Sequence, residues 1–137
     1  MKKIFVVDWL LVLSFVITAF SGFELHIAGH FSNHEIWHNR AVGHIFASCL
    51  FLLFGVMHIQ NHWNWYKNGL GKKSRVTLSV TIIFVIATVT GLLLLGINGA
   101  NSGMGIWHYR IGIILTIIGM GHFIKRFQIL KKSLSSK

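Results

Sequence analysis

Apolar residues run almost without a break through four stretches of the chain, roughly Ile4 to Ile27, Ala41 to Gln60, Val76 to Ile97 and Ile106 to Ile124. Each is close to the ~20 residues a helix needs to cross ~30 Å of hydrocarbon. The pattern predicts an all-α fold, a four-transmembrane-helix bundle forming one domain over residues 1–137, in a lipid bilayer. The first stretch is too long for a cleaved signal and no A-x-A-like site follows it, so it counts as a span.

Polar and aromatic residues punctuate these spans. Trp37 marks one end of the second span and Trp63, Trp65 and Tyr66 the other, as suits rings with a polar tip at headgroup level. The glycine and lysine segment KNGLGKKSR and the polar segment NGANSGMG read as the later connections, and Phe31 to Trp37 as a short first loop. Asp8 lies within the first span and reads as a lysine partner or a snorkelling acid. Ser21 and Gly22 offer a close-packing patch. The third span has neither histidine nor charge, and its threonines, Ser79 and Gly91 suggest that it completes the bundle.

Composition agrees, with 53% hydrophobic and only 12% charged residues. The net charge of +10 would suggest nucleic acid in a soluble protein, but its placement argues otherwise. Lys2, Lys3, Lys67, Lys72, Lys73, Arg75, Lys125, Arg126, Lys131, Lys132 and Lys137 all fall on one side of a four-span arrangement, and only Arg40 and Arg110 on the other. The positive-inside rule then puts both termini in the cytoplasm, N-in and C-in, with the basic segments against anionic lipid. No nucleic-acid partner is expected. The single cysteine, Cys49, lies inside a span and reads as packing.

Histidine carries the chemistry. His44 and His58 are 14 positions apart on the second span, which returns the second side chain to within roughly 40° of the first and about 21 Å further along. His108 and His122 repeat that separation on the fourth span, and a small residue, Ser48 or Gly112, follows the first histidine of each pair by four. Spans two and four run the same way, so His44 matches His108 near the outer leaflet and His58 matches His122 near the inner one. A histidine in hydrocarbon calls for a partner, and its neutral ring keeps a lone pair for a metal. Each pair is therefore expected to ligate the iron of one haem b, two in all. Bis-histidine ligation leaves no open position, which points to electron transfer rather than oxygen binding. The small fourth residues relieve crowding where a flat macrocycle would lie. Arg40 and Arg110 outside, and Arg126 with Lys125 inside, are candidate propionate partners or plain interfacial cations. His62, one turn past His58, is a substitute inner ligand.

The series His44, Ser48, His58 and His62-Trp63 resembles the signature of a family of small bacterial membrane proteins related in architecture to the di-haem cytochrome b subunits of hydrogenases and formate dehydrogenases. That resemblance covers all four spans. It implies a multi-pass four-helix haem-binding protein of the bacterial cytoplasmic (inner) membrane that carries electrons across it. Quinone, superoxide or a redox partner protein are the candidate electron partners, and any oxidoreductase activity would be linked to one of the first two. The short loops and lack of extra domains set this chain apart from the larger relatives. A haem-sensing or haem-handling protein without turnover is the alternative.

Two further patterns lie at the outer face. His34-Glu35-Ile36-Trp37-His38 matches H-E-x-x-H, the zinc peptidase signature, which makes a membrane zinc peptidase a remote alternative, but the match falls in what reads as a loop at a helix entry. His26, His30, His34 and His38 are each four apart, which on one continuous helix would make a metal-binding stripe or, with Glu24, a proton relay. The span must turn before His38, so the four are not expected on one helix, and solvated interface histidines are the plain alternative. WHNR (37–40) and WHYR (107–110) echo one another, as an internal repeat or as similar interface chemistry.

Overall fold

A computed structural model of the chain describes residues 3–31, 33–69, 75–97 and 102–135. Helix α1 spans Lys3–Phe31, α2 His34–Asn61, α3 Trp63–Gly69, α4 Arg75–Leu94 and α5 Gly103–Ser135. Lys2, Lys72, Lys73 and Lys137, and parts of both later connecting segments, lie outside the described residues. Four helices are long and apolar enough to cross a membrane, as the hydropathy pattern predicts. The seven-residue α3, which the pattern did not separate from its surroundings, holds the aromatic cluster Trp63, Trp65 and Tyr66.

The helix ends have local causes. The first loop is shorter than expected because Asn33 caps α2: its side-chain oxygen accepts the Ile36 amide at 2.9 Å, so the chain is helical from His34. Ser102 does the same for α5, accepting the Gly105 amide at 3.1 Å, so the end of NGANSGMG is helical too. His62 breaks α2 from α3, its amide bonding back to the carbonyls of His58 and Ile59.

Helix α1 packs antiparallel on α2, α4 on α5, and α1 on α5. Phe84 of α4 closes the ring by packing against Phe51 and Leu52 of α2, in a core with Ala87 and Leu115. The parallel helices α2 and α5 therefore face one another across a diagonal, and α1 and α4 occupy the other two corners. The middle is filled by Phe15, Phe51 and Phe84, with ring centroids 5.7 Å and 5.3 Å apart in succession. Glycines admit two of these rings: a Cβ on Gly55 would stand 2.6 Å from Phe84, and one on Gly119 3.1 Å from Phe15. Large apolar side chains instead crowd the outside, with Phe46 and Ile117 each 68% exposed and Cys49 exposed as well. In water that surface would be untenable, and in hydrocarbon it is the expected exterior.

Candidate functional site

Two sets of histidines face the inside of the bundle, one on each side of the phenylalanine layer. At the first level the rings of His44 on α2 and His108 on α5 meet across the diagonal, centroids 6.3 Å apart and planes inclined by 68°. Each ring is seated by the helix that precedes its own in the chain. Ser21 Oγ lies 3.0 Å from His44 Nδ1, and Thr90 Oγ1 lies 2.9 Å from His108 Nδ1. The Ser21 hydroxyl donates to the Thr18 carbonyl and the Thr90 hydroxyl to the Ile86 and Ala87 carbonyls. With those protons committed, each oxygen accepts from Nδ1–H, which assigns the tautomer and leaves the lone pair on Nε2.

A glycine completes each seat. A Cβ on Gly22 would come 3.0 Å from His44 Cε1, and one on Gly91 3.1 Å from His108 Cε1. The two seats thus share one design: a carbonyl, a hydroxyl three residues on, then glycine, within Thr18–Gly22 and again within Ala87–Gly91. Helix α4 does more than complete the bundle, since it supports a ligand-type histidine as α1 does. The WHNR and WHYR echo does not carry this repeat, because His108 reaches His44 while His38 is exposed and stacks on His34, centroids 6.4 Å apart.

At the second level Asp8 of α1 meets α2. His58 Nδ1 donates to Asp8 Oδ1 at 2.7 Å, and His62 Nε2 stands 4.0 Å from the same oxygen. The His58 and His62 rings are 4.6 Å apart. Asp8, His58 and His62 form the one group of three metal-capable side chains gathered among the described residues. His122 lies on α5 and is part-buried. Among the described residues no ring contact joins it to His58. Asp8 is the functional residue that sequence reasoning undervalued. Among the described residues its partner is a histidine rather than a lysine, because the antiparallel α1–α2 pairing that sets Glu24 beside Arg40 and Ser21 beside His44 also sets Asp8 beside His58.

Of these donors, the His44–His108 pair has the spacing that haem iron needs. A nitrogen–metal bond of about 2 Å on either side, plus about 1 Å from each nitrogen to its ring centre, needs imidazole centroids about 6 Å apart, as His44 and His108 have. Metal-bound histidines characteristically commit the other ring N–H to an oxygen, as His44, His108 and His58 all do. A Cβ on Gly112, one turn from His108, would meet nothing within 4 Å, which leaves a flank open for a flat ring. Ser48 keeps its hydroxyl 3.5 Å from His44 Nε2, at the limit of a hydrogen bond. Of the candidate propionate partners, Arg40 forms an ion pair with Glu24, Arg110 lies over the Trp107 ring at 5.6 Å, and Arg126 is exposed near His62 and His122.

The remaining histidines divide between two helices, as the expected turn requires. His26 stacks on Tyr109 with centroids 3.8 Å apart and meets His30 edge-on, whereas His34 and His38 lie on α2. The H-E-x-x-H segment is the first turn of α2 rather than a loop, with both histidines exposed. Among the described residues no third ligand joins that pair. The sequence matches no protein-family model, and no curated protein or solved structure is significantly similar to it.

Proposed function

We propose that this chain is a di-haem b-type cytochrome that carries single electrons across a membrane, with the His44 level toward the outside and both termini toward the cytoplasm. The observation that carries the reading is the meeting of His44 and His108 across the bundle diagonal. Their rings stand one metal ion apart, and each Nδ1 is anchored so that Nε2 keeps its lone pair. Bound haem would supply a reversible one-electron change of its iron.

The chain's own residues orient and insulate. Ser21, Thr90 and Asp8 fix the ring planes and tautomers of His44, His108 and His58. Phe15, Phe51 and Phe84 fill the space between the levels and exclude water there. Arg110 and Arg126 are the cations placed to meet propionates, while Arg40 would first have to leave Glu24. The electron partners that suit such a device are a quinol at the interface or superoxide at the outer face, and each calls for its own assay.

The absorption spectrum of the purified protein tests the reading. Two haems per chain, with sharp reduced-state bands and two midpoint potentials, are expected, and His58→Ala should remove one haem and spare the other. Haem that is substoichiometric and lost on dilution would favour a haem-handling protein, and zinc without haem a metal-ion protein. Retention of both haems in His58→Ala would move the inner ligation to His62.

A further inference from the structure

The two levels differ in one respect that bears on direction. At the first level the anchors of both histidines are neutral dipoles, the hydroxyls of Ser21 and Thr90 and the carbonyls behind them. At the second, a carboxylate holds His58 Nδ1 at 2.7 Å and lies 4.0 Å from His62. Resting on the di-haem reading, we infer that Asp8 holds the His58 level at the lower reduction potential, so that an electron runs spontaneously from the His58 level to the His44 level.

A carboxylate on the far nitrogen of a ligating imidazole makes the near nitrogen a stronger donor, which favours the more highly charged, oxidised metal over the reduced one. Asp8 is well shielded, its side chain only 16% exposed, so solvent screens it weakly. The opposing cations Arg126 and Lys125 are exposed and screened. At the other end Glu24 neutralises Arg40, and Arg110 is exposed and screened in the same way. Since the same carboxylate oxygen faces both His58 and His62, the ordering holds whichever of them ligates. In the transfer, the second level is oxidised by one electron and the first is reduced by one; no proton moves and no bond forms or breaks.

Potentiometric titration of the haem bands in the full-length holoprotein tests this without any turnover assay. His44→Ala, which keeps the second level, should retain the lower of the two wild-type midpoints. Asp8→Asn should raise that midpoint and leave the higher one in place, lowering the oxidised-to-reduced ratio at fixed potential by about tenfold, equivalent to about 59 mV for one electron. If Asp8→Asn loses its haem, Ser21→Asp should instead lower the higher midpoint. The inference is overturned if His44→Ala retains the higher midpoint, or if haem-loaded Asp8→Asn or Ser21→Asp leaves both midpoints unmoved. Wild-type protein without haem would overturn the di-haem reading itself, and this inference with it.

Discussion

A histidine becomes a dependable ligand only when something holds its other nitrogen, and the seats of His44 and His108 separate that contribution into parts. Removing the Thr90 hydroxyl takes away the closest partner of His108 Nδ1 but leaves the Ala87 carbonyl nearby. Thr90→Ala should therefore weaken haem retention at that level by about tenfold, the low end of what losing such a partner costs. Haem titration of the apoprotein measures it. Gly22→Val acts by volume instead, because even a Cβ would press to 3.0 Å from His44 Cε1 and the two methyls extend further. It should cut the haem content from two to one, read from the reduced-minus-oxidised spectrum, and spare the level beyond the phenylalanine layer. Ser21, Gly22 and Gly91 stood out in the sequence as small residues suited to helix packing. That they seat histidines was not legible, since a hydroxyl–glycine step serves either purpose until the facing residue is known.

Among the helices, two glycines separate packing from space kept open. On α2, Gly55→Ala gains about 0.5–1 kcal/mol of helix propensity but drives a methyl to within 2.6 Å of Phe84, a ring only 8% exposed. Overpacking of that kind costs about 1–3 kcal/mol, so the variant should unfold at lower temperature or denaturant in detergent. On α5, a Cβ at Gly112 meets nothing. Gly112→Ala should leave the apoprotein as stable or slightly more so, and Gly112→Phe should fold yet lose haem at His108. Binding and unfolding measured on the same samples distinguish the two effects. The existence and order of the long helices were legible because an apolar run of membrane length admits little else. Their caps were not, since Asn33 and Ser102 sit where the pattern reads as loop.

For the whole molecule, the proposed orientation rests on the exposed apolar belt and the basic end. Helix α5, at 33 residues or about 50 Å, outlasts the hydrocarbon thickness. Its last turns carry Lys131 and Lys132 beyond Lys125 and Arg126, at the same end as Lys67 and Arg75. With Cys49 replaced by alanine, a membrane-impermeant thiol reagent added to the outside of intact cells should label Asn39→Cys and not Lys67→Cys. The opposite pattern would invert the bundle, and with it the face toward which electrons run.

What the chain determines by itself is local and periodic: four spans, their alternation, and the identical histidine spacing on the second and fourth, all of which follow from helix geometry and the cost of polar groups in lipid. Only the tertiary structure decided that α2 and α5 lie diagonally so that His44 meets His108, that Asp8 belongs to His58, and that His26 and His30 part company with His34 and His38. Those pairings join residues far apart in the chain. They depend on the rotation and depth at which packed helices settle, and no repeat along a single helix encodes either.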